Sequence, residues 1–128
     1  MKIMNPDSVE MLVELDRETY GTLVLDLIQG YRADLPTRMS GIQNFFKNRD
    51  AKKLAFEAHA IKATFANFGA ATLSSVLQRI ELSAKADDWV AVSQAMTEME
   101  PLVSHFNSDI DELEQRAKGI QLARTKAS

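Results

Sequence analysis

Residues 89–113, WVAVSQAMTEMEPLVSHFNSDIDEL, carry the pattern that decides the fold. Trp89, Val92, Met96, Met99, Val103, Phe106, Ile110 and Leu113 follow one another in alternating steps of three and four residues. At 3.6 residues per turn this spacing lines the apolar side chains along one stripe of a helix, and it predicts a coiled-coil-like seam that packs along the length of a bundle. Pro101 interrupts the seam and is expected to bend it. Met96 and Met99 share the stripe with Trp89 and Val103, which makes them core filling rather than an exposed methionine groove.

The same three- and four-residue recurrence runs through most of the chain, and strand-like alternation is absent. Asp87 or Asp88 offers an N-cap for the last helix, and Asn5-Pro6-Asp7-Ser8 offers one for a short first helix over about residues 8–16. A long segment from about Glu18 to Lys47 has a core stripe of Tyr20, Leu23, Leu27, Tyr31, Leu35, Met39, Ile42 and Phe46. Pro36 lies inside it and predicts a kink or break near Ala33–Leu35. After the polar turn Asn48-Arg49-Asp50, with Asp50 as cap, a helix is predicted over Ala51–Asn67 with Leu54, Ala58, Ile61, Phe65 and Phe68 inward. Gly69 suits the left-handed position past its end. A fourth helix from about Ala71 buries Leu73, Val76, Leu77, Ile80 and Ala84. The expectation is an all-α chain: an antiparallel four-helix bundle with a short extra N-terminal helix. Residues 1–118 form one domain, and the polar, basic residues 119–128 form a flexible tail that frays.

Bulk properties narrow the function. A chain of 128 residues is long enough for one domain with a real core. The absence of cysteine excludes disulfides and thiolate metal sites. No signal-peptide pattern and no apolar run of membrane-spanning length is present, so a cytoplasmic protein without a membrane role is expected. The Met1 start favours a free-standing protein. A net charge of −3 and a pI of about 5.4 argue against nucleic-acid binding, which needs clustered cations.

Chemistry has few places to sit. Of the two histidines, His59 falls roughly 140° from the core stripe of its helix and should face solvent. One turn away lie Ala55, Phe56, Lys62 and Ala63, and Ala66 follows two turns on. Small side chains there let another protein approach closely, and Lys62 places a positive charge beside the ring. An exposed His with Lys at i+3 is by itself an ordinary solvated helix face. The longer run Ala58-His59-Ala60-Ile61-Lys62-Ala63-Thr64-Phe65-Ala66-Asn67-Phe68-Gly69-Ala70 is more specific. It resembles the signature of histidine-containing phosphotransfer (HPt) domains: the phosphorylatable His, a hydrophobic residue at +2, Lys at +3, a small or hydroxyl residue at +5, Gly at +10, Leu at +14 and an acidic or amide residue near +22. His59, Ile61, Lys62, Thr64, Gly69, Leu73 and Glu81 stand at those places, and the resemblance extends over about residues 8–115.

The resemblance implies a phosphorelay carrier without kinase activity of its own. His59 would be the phosphoacceptor and Lys62 the neutralising charge. Ala55, Phe56, Ala63, Ala66 and Lys52 would meet the partner. The partners would be receiver domains of hybrid sensor kinases and response regulators. No cofactor is implied on this chain, because the Mg²⁺ belongs to the receiver. A carrier that docks with two partners in turn is best served as a monomer. Lys47, Arg49, Lys52 and Lys53 precede or open the helix and suit long-range steering of an acidic receiver face, or a solvated turn. Phe56 is either simply exposed or part of the docking surface.

One position departs from the family. Ala63 stands at +4, where Gly is usual and allows the closest approach. One methyl group is expected to leave docking possible while narrowing partner choice or slowing transfer. It also keeps open a second reading, an interaction module that binds a signalling partner through the same face without phosphorylation. A di-iron bundle is disfavoured, since Phe56 and Leu102 stand three residues before His59 and His105 where Glu would be needed. An autonomous kinase is disfavoured by the absence of a Gly-rich phosphate loop. His105, followed by Ser108 and Asp109 rather than by a cation, has no assigned role.

Overall fold

A computed structural model of the chain describes residues 2–17 and 22–127, with side chains through residue 123. It contains helices α1 (Pro6–Asp16), α2 (Thr22–Lys47), α3 (Ala51–Asn67), α4 (Ala71–Lys85) and α5 (Trp89–Ala127). Among the described residues the regular structure is all helical. Helices α2 to α5 pack in a closed ring, each against the next and α5 against α2, while α1 lies across α2 and α5. Three-residue turns join α2 to α3, α3 to α4 and α4 to α5, which makes those neighbours antiparallel.

The three turns are built alike. Each helix ends with an N–H returning to the carbonyl five residues back: Asp50 to Phe45, Ala70 to Phe65 and Asp88 to Ser83. The preceding N–H bonds three residues back, and the residue bearing it is left-handed: Arg49 (φ 55°), Gly69 (φ 71°) and Asp87 (φ 53°). This is the Schellman closure, which satisfies carbonyls that a helix end leaves open. At the outer two turns the next residue starts the following helix, Asp50 accepting from the Lys53 N–H and Asp88 from the Ala91 N–H. The sequence left Asp87 and Asp88 as alternatives. The structure gives Asp88 the cap and Asp87 the left-handed site.

Glycine is required at position 69 for a second reason. A Cβ there would meet the Ser8 Cβ at 2.4 Å and its Oγ at 2.7 Å, because the N-terminal segment is laced to this turn by the Asn5 N–H to Gly69 carbonyl bond. Asp87 has no such constraint, so Asp87→Gly is expected to relieve the left-handed strain and raise stability by up to about 1 kcal/mol. A higher urea midpoint at unchanged slope is the expected result, and an unchanged or lower midpoint would contradict it.

The core follows the predicted stripes of α3, α4 and α5, with Leu54, Ala58, Ile61, Phe65, Leu73, Leu77, Ile80, Ala84, Val92, Met99, Phe106 and Ile110 all buried. The stripe of α2 is corrected in its first half. Leu23 and Leu27 are exposed, and Val24 and Ile28 are buried in their place. Counting back from Tyr31, steps of four reach Leu27 and Leu23, while a step of three then four reaches Ile28 and Val24; both satisfy helical spacing, and only packing against α1 and α5 selects one. Tyr20 lies outside the described residues. Neither proline breaks its helix: Pro36 and Pro101 sit on exposed faces, where water can satisfy the carbonyl that loses its donor. Helix α5 also continues through the proposed tail boundary to Ala127, with Ala117 buried and Ile120 packed on the core. Among the described residues no helix is long and apolar enough to cross a membrane.

Candidate functional site

Helix α3 is anchored on its inner face and presents the opposite one. His59, 67% exposed, stands in the middle of that outer face. Helix α4 packs against α3 and brings a second set of side chains to the ring. Its apolar stripe contains one carboxylate, Glu81, four residues after Leu77 and three before Ala84, with a side chain only 9% exposed.

A charge buried in that position needs partners, and it has three. The His59 Nδ1 lies 3.1 Å from each of its carboxylate oxygens. Lys62 Nζ donates to Oε1 at 3.0 Å from the side of α3, and Lys85 Nζ donates to Oε2 at 3.1 Å from the next turn of α4. Burial pushes the Glu81 carboxyl up, but the hydrogen bonds from Lys62, Lys85 and His59 outweigh it and hold the group at about 2. Glu81 is therefore ionised and can only accept. Nδ1 must carry the ring proton toward it, which leaves Nε2 as the lone-pair nitrogen of the neutral imidazole, facing solvent.

Beside the ring is an open cavity of about 550 Å³ lined by Ala51, Lys52, Ala55, Phe56, His59, Glu81 and Lys85. Lys52 and Phe56 line this cavity, Phe56 being 74% exposed. Ala55 is a correction. It is buried, because it lies on the side of α3 that packs toward α4, and it forms the floor of the cavity rather than a presented contact. Ala63 and Ala66 are exposed further along the face and do not line the cavity.

Among the steering candidates, Arg49 is engaged elsewhere, its guanidinium 4.9 Å from the Phe46 ring centre and 5.1 Å from that of Trp89. Phe46, placed on the core stripe by its spacing, belongs to this stack at the edge of the core. Asp109, one turn past His105, is buried beneath the N-terminus, where its carboxylate accepts the N–H groups of Ile3 and Met4.

Lys85 was missed by sequence reasoning, and Glu81 was matched without a role. The signal was present: an acidic residue inside an otherwise apolar stripe demands a cation, and Lys85 stands one turn on.

The model of the Hpt domain family matches residues 26–120, from the first turns of α2 into the last turns of α5, so that α3 and its partners lie inside the match. The chain belongs to the Hpt domain family. Its members are phosphocarriers that act in phosphotransfer with the receiver domains of two-component signalling. No curated protein and no solved structure matches the chain.

Proposed function

We propose that this protein is a phosphorelay intermediary that accepts a phosphoryl group on Nε2 of His59 from a receiver-domain aspartate and passes it to a second receiver. The observation that carries the reading is the triple anchoring of Glu81, which fixes the ring by Nδ1 and leaves Nε2 free. The Nε2 lone pair attacks phosphorus in line; the N–P bond forms as the acyl-phosphate O–P bond breaks, and the receiver carboxylate leaves with the electron pair. The Nδ1 proton stays in place. The product ring is cationic, and the Glu81 carboxylate lies against that charge, so the charge develops where a fixed counter-charge already waits. Lys62, one turn along α3 from His59, offsets the charge of the phosphoryl oxygens. The receiver supplies Mg²⁺, the aspartyl phosphate and the rest of the catalytic groups; this chain needs no cofactor. Phe56 and Lys52 contact the receiver beside the cavity, and Ala63 and Ala66 extend the contact along α3. The protein acts as a cytoplasmic monomer.

The test is chemical. After incubation with a receiver carrying labelled aspartyl phosphate, the label on this chain is expected to be acid-labile and base-stable and to map to the peptide containing His59, with none on that containing His105. Absence of label with every receiver of the source cell would favour the interaction-module reading.

A further inference from the structure

We propose that the cavity between α2 and α3 is a binding site for a linear diamine, with one ammonium group on Asp26, the other on Asp34 and the methylene chain laid between them. The inference is independent of the phosphocarrier reading. The cavity, about 200 Å³, has Asp26, Leu27, Gly30, Tyr31 and Asp34 on its α2 side. From the other side Thr64, Asn67 and Phe68 bring a hydroxyl, an amide and a ring, but no cation. The arginines of α2 are engaged elsewhere, Arg32 with Asp111 and Glu114 and Arg38 with Glu57. Among the described residues neither Asp26 nor Asp34 has an ion pair, so the cavity carries two uncompensated negative charges.

Gly30 is a separate sign that this surface is kept open. It stands in the interior of α2 with an ordinary helical backbone, where glycine is less favourable than alanine. Crowding does not require it either, because a Cβ at this position would meet nothing within 4 Å. What the missing side chain does is leave the cavity unfilled. Asp26 lies four residues before Gly30 and Asp34 four residues after it. The two carboxylates therefore stand about 40° to either side of the glycine and about 12 Å apart along the helix axis. One compact cation cannot reach both. A charge-assisted hydrogen bond of about 2.8 Å at each end leaves about 6 Å between two ammonium nitrogens, the reach of about four methylene groups. That apolar chain crosses Gly30 and meets Leu27, which is 41% exposed because the core takes Ile28 in its place. The ligand and the cavity thus agree in charge, in the spacing of the charges and in the apolar stretch between them.

Putrescine serves as the probe and n-butylamine, with one charge fewer, as its control. Each is titrated into the full chain at low ionic strength, and the backbone amide resonances are followed. Saturable putrescine binding is expected, with shifts centred on residues 26–34 and 64–68. Butylamine should bind about 2- to 5-fold more weakly, the worth of one exposed ion pair, and Asp26→Asn or Asp34→Asn should weaken putrescine by a similar factor. Gly30→Leu places a better helix former at an open position, so it should fold at least as stably as wild type while filling the cavity and losing the saturable binding. Equal binding of putrescine and butylamine would overturn the proposal. So would wild-type putrescine binding in Gly30→Leu, or shifts that never saturate, which would mark diffuse screening of surface charge.

Discussion

His59→Ala is expected to take up no label from any phosphorylated receiver, while Glu81→Ala takes it up about 10- to 100-fold more slowly than wild type. The first loss is complete because the other imidazole has a different setting: His105 precedes a carboxylate that accepts the N–H groups of Ile3 and Met4, and Arg79, the cation lining the same groove, is paired with Glu98. The second is partial because the nucleophile survives. Without Glu81 the ring loses its bond at Nδ1, both tautomers and more rotamers become available, and the cationic product loses its counter-charge. Loss of one preorganised electrostatic group costs about 10²- to 10³-fold in closed active sites, and the openness of this one lowers the figure. Single-turnover transfer from a phosphorylated receiver measures both variants. Label on His59→Ala would remove His59 as the acceptor, and wild-type rates in Glu81→Ala would remove the anchoring argument.

The same carboxylate gives the fold a defined acid response. Its folded-state value, about 2, lies below its ordinary 4.5, so the stability it contributes is fully present above about pH 4.5 and is lost as the pH falls toward 2. Glu81→Gln keeps an acceptor for the lysines but cannot titrate, and the acid limb of its stability profile should be correspondingly flatter.

What the sequence could and could not reveal divides along a physical line. Periodicity is a property of one helix, and α3, α4 and α5 were legible because their apolar spacing admits a single stripe. For α2 the spacing admits two, and the choice between Leu23–Leu27 and Val24–Ile28 is made by neighbouring helices. Gly69 was legible because only glycine takes its conformation freely; Arg49 and Asp87 adopt nearly the same one against their preference, imposed by the length of their turns. The face bearing His59 was visible as an angle on a wheel. The Glu81 cluster spans two helices, and its geometry exists only once α3 and α4 pack, which is also what turns Ala55 from a surface residue into the floor of a cavity.

Phe106→Ala and Phe56→Ala should separate folding from docking. Phe106 of α5 is fully buried, with ring centres 5.0 Å from Phe65, 5.1 Å from Tyr31 and 5.7 Å from Phe68, each in edge-to-face geometry. These rings come from α2, α3, the α3–α4 turn and α5, so the cluster ties together three walls of the bundle and fixes the C-terminal part of α3, two turns beyond His59. Truncating a buried Phe costs about 3–5 kcal/mol through lost transfer energy and the cavity left behind. Favourable ring pairs add about 0.5–1.5 kcal/mol each beyond area, which places this site at the upper end. Against a total stability of about 5–15 kcal/mol, the urea midpoint should fall by about 2 M or more. Phe56, 74% exposed, has little to lose on truncation, and Phe56→Ala should stay within about 0.5 kcal/mol of wild type. Its effect belongs to the encounter with the receiver, where a slower association with an unchanged lifetime of the phosphohistidine is expected. A Phe106→Ala variant within 1 kcal/mol of wild type would mean that the aromatic cluster does not hold α3 in place. A Phe56→Ala variant with undiminished receiver association would move the docking surface off this rim and toward Ala63 and Ala66. The two side chains belong to the same residue type, yet burial on one and exposure on the other assign the first to the bundle that positions the imidazole and the second to the surface through which it is reached.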